Sequence, residues 1–484
     1  MRGASILLLT AGLLFSGCRS LGPEYERPKV EAAPSYRDLP ADEATGAWQL
    51  AQPADAQARG EWWRMFGDPA LDDFEQRALS KNQDLKAELA RIEQSRAILR
   101  VAGADRLPNV TLDPSFNRTR YSPNAGLAFP IKEASDIRVP VNVSWEIDLW
   151  GRVRRSVEAA NLDAQAAAAN FEAVRLLLHA DVAANYFRLR ALDLEIGTLT
   201  RGIELRGREL EIFTARLQAG DATDLDLARA QTELATAQAE LSSLARIRSQ
   251  VQSSLAVLVG EGASSFQLAA QTNEALVEPP QVSAGLPAEL LERRPDVARA
   301  ERELAASNAR IGVAEAAFFP RLFLTGFAGF ESKELGNLFD ADSNIWSIGP
   351  SLSLPIFQGG RNRANLELRR AAFEEGVAVY RQSVLVAFKE VQDALSDIRL
   401  LSEQNEATGR AMVAARRAAE LAHTRYDSGF VGYIDVIDSE RTALVVERAA
   451  AQVAGLRFAA AVSLVKALGG GWDASSLPAI AKNP

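Results

Sequence analysis

The chain contains the same long unit twice. The segment GRVR that begins at Gly151 returns as GRNR at Gly360, an offset of 209 residues. The same offset relates RLQAG, which begins at Arg216, to RYDSG, which begins at Arg425. A repeat of this length is a duplicated half-domain rather than a solenoid of small units. The second half is therefore expected to repeat the helices and strands of the first.

Each copy contains segments in which apolar and polar residues alternate. Between Ile137 and Ile147 every second residue is apolar, and a similar alternation runs from Trp346 to Ile356. Period two predicts strands with one apolar face, paired within 108–148 in the first copy and 320–357 in the second. Strands of about 10–12 residues are long enough to cross a tilted bilayer path. A half-buried sheet of a soluble domain would show the same alternation, so the pattern leaves both open.

Long helices are predicted after each strand pair. The sequence has no proline from Val141 to Glu278 or from Ile356 to Leu477, and Gly220 is a stop signal. The predicted helices cover 152–219, 223–260, 361–428 and 432–469. Soluble globular helices average about 11–12 residues, so helices this long belong to a coiled-coil tube or rod.

The first long helix shows heptad spacing. Its apolar residues recur seven apart in two seams. One seam contains Leu189, Ile196, Ile203, Leu210 and Leu217, and the other contains Leu192, Leu199 and Phe213, with Arg206 as its exception. The second copy has a weaker, alanine-rich seam, which favours close approach of neighbouring helices.

The N-terminus has the layout of a secretory signal followed by a lipid anchor. Arg2 precedes an apolar stretch from Ile6 to Phe15, and Ser16-Gly17 precede Cys18, the only cysteine of the chain. The stretch is too short to span a membrane. The sequence FSGC resembles a bacterial lipobox, which predicts a diacylglyceryl group and an N-acyl group on Cys18; an ordinary signal with an incidental cysteine is the alternative.

The predicted organisation is a signal peptide, an arm, two repeats, a linker and a tail. Their ranges are 1–17 for the signal peptide, 18–60 for the lipidated extended arm, 61–260 for the first repeat, 261–286 for the linker, 287–470 for the second repeat and 471–484 for the tail.

The residue inventory argues against an enzyme, a metal protein or a nucleic-acid binder. The formal net charge is −9 and there are two histidines, His179 and His423. Both fall in helical segments, which favours surface or packing roles over catalysis or metal binding. The DADSN segment at Asp340 imitates the start of a calcium loop but lacks its later glycine and glutamate. We expect no catalytic residue, no metal site and no cofactor other than the lipid on Cys18.

Two strand pairs cannot close a membrane barrel. Open strand edges are not tolerated in lipid, so several chains must assemble. Two chains would supply eight strands, and a barrel of eight strands normally has a lumen filled by side chains. Three chains would supply twelve strands and leave an open pore. The predicted fold class is mainly α, a duplicated coiled-coil helical barrel, with four transmembrane strands per chain in a trimeric 12-stranded β-barrel.

These residues resemble the outer-membrane efflux proteins, the TolC-like outer-membrane factors, in their NodT-type lipoprotein branch. The matching segments are GPEYERP at Gly22, WW at Trp62 with FGDPAL at Phe66, and LLERRPDV at Leu290, which continues to IGVA at Ile311 and FFP at Phe318. The resemblance implies a homotrimeric channel-tunnel in the outer membrane of a Gram-negative bacterium. Its helical tunnel would lie in the periplasm and dock onto an inner-membrane RND-type pump through a periplasmic adaptor.

The resemblance also implies a periplasmic gate. Asp435 and Asp438 resemble the paired aspartates that ring the tunnel entrance in this family, Tyr426 matches the gate tyrosine, and Asp226 matches a gate acid of the first copy. Asp435 and Asp438 are three residues apart and so share one helix face. Acids in the first turn of a helix are favoured by the helix dipole in any case, which is the alternative interpretation.

The predicted function is passive exit of small molecules such as drugs, toxic compounds or metal ions. Two alternatives remain: an exit duct for type I polypeptide secretion, and a coiled-coil envelope scaffold that conducts nothing. The sequence does not identify the cargo, because the pump selects it.

Overall fold

The structure is a computed structural model that describes residues 20–30, 61–122, 133–271, 278–280 and 294–470. The signal peptide, Cys18, most of the arm, part of the linker and the tail lie outside the described residues. The fold is mostly helical, as predicted. The helices are α1 Pro69–Lys81, α2 Gln83–Ala104, α3 Arg152–Ala219, α4 Asp224–Leu258, α5 Pro295–Ala316, α6 Arg361–Asp427 and α7 Tyr433–Ala467. The strands are β1 Asn109–Leu112, β2 Ser115–Arg120, β3 Glu133–Ile147, β4 Arg321–Ser332 and β5 Asn344–Ser353.

The strands of both copies form one antiparallel sheet. Its order is β1-β3-β4-β5, with β2 pairing β3 beside β1. The two copies meet where β3 pairs β4, from Ile137 opposite Ser332 to Ile147 opposite Leu322. In the described part of the chain the sheet therefore has four strand positions, and its two outer positions are unpaired edges.

The first strand is divided into β1 and β2 by prolines. Leu112 pairs Val141 and Ser115 pairs Arg138, so the register is the same on both sides of the break. Between them Pro114 lies across from β3 near Pro140. Proline has no N–H to donate to a ladder, so the ladder is interrupted at Pro114 without a bulge, while Asp113 N beside it still donates to Pro140 O at 3.2 Å.

One face of the sheet is apolar from edge to edge. A row of paired positions contains Val110, Val143, Gly326 and Ile348. Val110 and Ile348 are 61% and 69% exposed in the single chain. The neighbouring row on the opposite face is mostly polar and contains Thr111, Asn142, Phe327 and Ser347. This arrangement lets one face contact an apolar medium and the other contact water.

Of the two heptad seams of α3, the one with Leu192, Leu199 and Phe213 is buried, whereas the other is half-buried beyond Leu189. Leu189 and Leu199 have no exposed surface, and Phe213 is 4% exposed. The exception in the seam, Arg206, is also buried, and its Nε lies 3.9 Å from Glu233 Oε2 on α4. The 68 residues of α3 span about 100 Å. Helix α3 packs against α4, α5 and α7, and α7 packs against α6, so α3 is the central helix of the bundle.

The GR motif of each copy marks the change from strand to helix. Gly151 and Gly360 precede α3 and α6 with φ of 80° and 84°, a left-handed backbone that only glycine adopts readily. Arg152 then binds Glu146 of β3 through two hydrogen bonds of 2.8 Å. The motif thus redirects the chain from the sheet into the long helix.

A break at Asn82 separates α1 from α2. The Asn82 carboxamide accepts a hydrogen bond from Leu85 N at 2.9 Å and donates one to Leu258 O at 3.0 Å. It therefore caps the start of α2 and the end of α4. Arg294 of the second copy acts on the equivalent helix end, because its Nη1 donates to Ala467 O at 2.9 Å.

Residues 20–30 are extended, and they pack on the junction of sheet and helices. Arg155 Nε donates to Leu21 O at 3.1 Å, and Leu21 N donates to Trp150 O at 3.1 Å. Gly22 lies against Gly312, where a Cβ atom would approach the Gly312 Cα to 2.5 Å. The GPEYERP and IGVA motifs are thus two sides of one contact.

Residues 262–271, part of the predicted linker, are docked on α3 and α4. Phe266 is 3% exposed and packs against Phe74 with ring centroids 5.8 Å apart. Arg190 and Arg248 donate to the carbonyl oxygens of Ala269 and Leu268 at 3.1 and 2.9 Å. This part of the connection therefore belongs to the packed helical core.

Helix α7 is long and apolar enough to cross a membrane, by length and composition alone. Half of its most apolar segment is buried inside the protein. Since α7 packs against α3 and α6, its apolar residues have partners within the helical bundle.

Candidate functional site

Two helix turns lie together at the end of the long helices farthest from the sheet. We call residues 220–223 and 428–432 the distal turns; they join α3 to α4 and α6 to α7. A hydrophobic cluster just inside them contains Phe213, Ala230, Tyr433, Val436 and Ile437. The cluster holds the turns of both copies side by side.

Asp226 has a local structural role in the first distal turn. Its carboxylate accepts hydrogen bonds from Thr223 N at 3.3 Å and from Thr223 Oγ1 at 2.6 Å. Asp226 N in turn donates to Thr223 Oγ1 at 3.3 Å. This reciprocal capping box starts α4, and it accounts for an acid at this position whether or not Asp226 also acts in a gate.

Asp435 occupies the equivalent position in the second distal turn. Its Oδ2 accepts a hydrogen bond from Gly432 N at 3.1 Å, so it caps the start of α7. Asp438 lies one turn further on the same face, where its Oδ1 accepts from Arg441 Nη2 at 2.7 Å. Both aspartates are exposed and line an open groove of about 520 Å³ between the starts of α4 and α7. Asp226 does not line this groove.

Tyr426 joins the two copies at the distal turns. Its hydroxyl is hydrogen-bonded by Arg216 Nη1, and the same guanidinium lies over its ring, 5.5 Å from the centroid. The ring also packs against Tyr433, with centroids 5.7 Å apart. The structure thus places Tyr426 in a contact between α3 and α6, two helices from different copies.

A polar cluster that lies next to the distal turns was not predicted from the sequence. Tyr433 donates to Glu209 Oε2 at 2.7 Å, and His423 Nε2 contacts Glu440 Oε1. Burial raises the pKa of Glu209, and the negative charge of Glu440 raises it further. The pair of Glu209 and Tyr433 shows no local sequence signal, because the two residues are more than 200 positions apart. The packing of α3 on α7 brings them together.

The other histidine is part of the core, in keeping with the packing role predicted for it. His179 is 3% exposed, stacks on Trp63 with centroids 4.3 Å apart, and its Nδ1 lies 2.6 Å from Glu75 Oε2. Burial lowers the pKa of His179 to about 4 and raises the pKa of Glu75 well above its ordinary value. The pair joins α1 to α3, far from the distal turns.

Both sequence relatives and a solved structure resemble the chain over nearly its whole length. It is 35% identical to the outer membrane protein OprJ of Pseudomonas aeruginosa, covering 97% of this chain and 96% of the relative. It is 34% identical to the toluene efflux pump outer membrane protein TtgI of Pseudomonas putida, covering 97% and 98%. The crystal structure of the CmeC outer membrane channel of Campylobacter jejuni superimposes with a TM-score of 0.88 at 25% identity, covering 95% of this chain and 96% of CmeC.

The family model described as outer membrane efflux protein matches residues 75–261 and 286–470. These two matched ranges correspond to the two copies identified from the repeat. The chain therefore belongs to the outer membrane efflux protein family.

Proposed function

We propose that three copies of this chain close into one continuous duct through which an efflux system releases small molecules across the outer membrane. The outer-membrane location and the role as an efflux channel follow from the family. The trimer, the 12-stranded barrel, the lipid anchor and the gate are the proposal. The observation that carries it is the sheet, with its apolar face and two free edges.

The free edges of the sheet require partners. Within lipid, backbone N–H and C=O groups have no water to bind, so an open edge carries a penalty at every unpaired group. Among the residues that the structure describes, no strand pairs with the edge at β1 and β2 or with the edge at β5. Pairing the β5 edge of one chain with the β1 and β2 edge of the next chain closes a ring. With four positions per chain, three copies give twelve strands, a barrel wide enough for a lumen.

The long helices extend the duct away from the membrane. Helices α3 and α6 start directly after β3 and β5 and have 68 and 67 residues, so both reach about 100 Å from the sheet. A tube of that length spans toward an inner-membrane pump. A periplasmic adaptor and an RND-type pump are the partners proposed, in line with relatives named as outer membrane proteins of efflux pumps.

The docking of residues 20–30 supports a lipid anchor on Cys18. Leu21 is hydrogen-bonded to Trp150, just after β3 ends at Ile147. The first described residues of the arm, Ser20 and Leu21, therefore lie at the helix end of the sheet. Tryptophan is enriched at membrane interfaces. A lipid on Cys18 would therefore enter the leaflet beside the barrel rim.

Native mass analysis of the detergent-purified protein tests the trimer and the lipid together. We expect three protomers, each beginning at Cys18 and carrying the mass of a diacylglyceryl and an acyl group; Cys18→Ser should lack that mass. In planar bilayers the trimer should give discrete conductance steps. A stable monomer without conductance would support the envelope scaffold instead. Transport of an unfolded polypeptide but of no small molecule, in the reconstituted system, would favour the secretion duct.

Asp435 and Asp438 are proposed to form an acidic ring at the periplasmic entrance. In a trimer they supply six carboxylates, two from each chain. Acidic rings favour cations in channels. Arg441 offsets part of this charge, but the side chains of Asp438 and Arg441 are 68% and 59% exposed, and exposed pairs are weak and screened by salt. Asp438 therefore keeps most of its attraction for cations.

Replacing both aspartates by asparagine should abolish most of the cation preference and the block by a trivalent cation added on the periplasmic side. Asparagine keeps an oxygen for Gly432 N–H, so the start of α7 and trimer assembly should be unchanged. The measurement is the reversal potential in a potassium chloride gradient, with and without the trivalent cation. Retention of both properties would mean that the two acids only cap the helix.

The matched control removes two paired carboxylates from the same hairpin far from the turn. Asp393 and Glu403 lie on α6 and pair with Lys389 at 2.6 Å and Arg399 at 3.2 Å. Both are at least about 35 Å along the helix from its end. Asp393→Asn with Glu403→Gln should therefore keep the selectivity and block of the parent.

A further inference from the structure

Three side chains from three helices converge beside the distal turns. Glu209 is on α3, His423 on α6 and Glu440 on α7, and their ligand-type atoms all lie within 4.8 Å of one another. Tetrahedral coordination of zinc at about 2.1 Å places ligand atoms roughly 3.4 Å apart. Small side-chain movements would therefore bring all three around one ion.

Glu209 has an unsatisfied oxygen in this cluster. Its Oε1 is buried and has no hydrogen-bond partner among the residues that the structure describes. Its Oε2 accepts the hydroxyl of Tyr433 at 2.7 Å, and the Tyr433 ring packs on Phe213 with centroids 4.0 Å apart. A ligand carboxylate held from behind by a hydrogen bond is typical of metal centres. The free oxygen is the one that remains for an ion.

The charges around the cluster also favour a divalent cation. Two carboxylates, Glu209 and Glu440, approach each other closely enough that the negative charge of Glu440 raises the pKa of Glu209. The nearby cation is Arg206, which is buried and lies 3.9 Å from Glu233. Arg206 shares its charge between Glu233 and Glu209, so the cluster keeps a net negative charge when both carboxylates are ionised and His423 is neutral.

We propose that Glu209, His423 and Glu440 form a binding site for zinc or a similar first-row divalent metal ion. One imidazole nitrogen with two carboxylates suits zinc, which accepts nitrogen and oxygen ligands in a four-coordinate site, with water as the remaining ligand. Calcium and magnesium prefer oxygen ligands alone. The His423 side chain is 43% exposed, so an ion can enter from solvent.

A bound ion would link the two repeats of one chain. Glu209 belongs to the first copy, whereas His423 and Glu440 belong to the α6–α7 hairpin of the second. The ion would link that hairpin to α3 just inside the distal turns and would oppose their separation. This consequence for opening rests on the proposed function; metal binding itself does not.

Binding is measured on the full-length, detergent-purified protein without a histidine tag. Calorimetry with Zn²⁺ should show one site per chain, and Co²⁺ should give the visible absorption of a site with nitrogen and oxygen ligands. His423→Ala and Glu440→Gln should each weaken binding by at least about tenfold. Because His179 is the only other histidine, loss of the Co²⁺ signal in His423→Ala assigns the imidazole.

Glu447→Gln is the matched control. Glu447 is on α7 and forms an ion pair with Arg416 of α6, so this variant removes one carboxylate from the same hairpin outside the cluster. It should bind Zn²⁺ as the parent does. Absence of a zinc site in the parent, or an undiminished site in the variant that combines His423→Ala with Glu440→Gln, would overturn the proposal. Neither result would affect the conductance or the trimer mass on which the proposed function depends.

Discussion

Replacing Asp193 by alanine should destabilise the chain by about 3–5 kcal/mol, the usual cost of leaving buried charge without its partner. Asp193 has no exposed surface. Its carboxylate accepts from Arg248 Nε at 2.6 Å, from Arg190 Nη1 at 3.3 Å and from Gln271 N at 3.1 Å. Removing it leaves two guanidinium groups in the interior and frees the docked segment 262–271.

The destabilisation is measured as the shift of the denaturant midpoint of the detergent-purified protein, together with protease sensitivity at 262–271. Asp193→Asn should cost less, because its amide oxygen keeps a hydrogen-bond acceptor for one of the two arginines. Asp393→Ala is the control, since Asp393 is an exposed acid paired with Lys389 on α6, and exposed pairs contribute about 0–1 kcal/mol. Equal midpoints for Asp193→Ala and Asp393→Ala would show that the buried network does not hold the segment.

The helical part of the fold was predictable because its signal is periodic. The seam residues of α3 repeat every seven positions, and each of them is buried or half-buried. The strands were harder to delimit. Strand β2 continues to Arg120 and β3 starts at Glu133, beyond the alternating apolar residues. Arg118 and Glu133 stabilise that extension through a hydrogen bond of 2.9 Å, and charged cross-strand pairs leave no hydrophobic period to detect.

The distal turns were located by the repeat and by the family resemblance, but the contacts around them were not. The capping role of Asp226 follows from a local motif, Thr223 with an acid three residues later. The bond between Arg216 and Tyr426 and the approach of Glu209 to Glu440 depend on how α3 packs against α6 and α7. Such contacts join residues of different copies, and neither period nor spacing encodes them.

The buried pair of His179 and Glu75 should make stability fall as the pH rises above about 6.5. Burial disfavours charge, so the folded pair keeps Glu75 protonated and His179 neutral, with one proton between Nδ1 and Oε2 at 2.6 Å. If Glu75 were instead ionised and His179 protonated, the folded pair would hold the same single proton, so the proton count would not change. In the unfolded chain Glu75 titrates near 4.5 and His179 near 6.5.

Stability falls with rising pH wherever the folded state binds more protons than the unfolded state, and rises where it binds fewer. The raised pKa of Glu75 stabilises the fold at low pH, and this contribution is lost as the pH rises above 4.5. The lowered pKa of His179 acts oppositely: its contribution is lost as the pH falls from 6.5 to about 4. The two cancel between about 4.5 and 6.5. Above 6.5 only the Glu75 effect remains, so the free energy of unfolding should fall as the pH rises, until Glu75 ionises in the folded protein.

Glu75→Gln isolates this effect because glutamine fills the same space, can hydrogen-bond His179 and does not titrate. Relative to the parent, the variant should gain stability as the pH rises from 6.5 to 8.5. Denaturant midpoints at pH 6.5, 7.5 and 8.5 measure the difference, which removes the titration of all other groups. Asp73→Asn, an exposed acid of α1 paired with Arg77, should keep the slope of the parent. If Glu75→Gln also keeps that slope, the folded pair holds no proton above pH 6.5, and Glu75 is buried as a carboxylate.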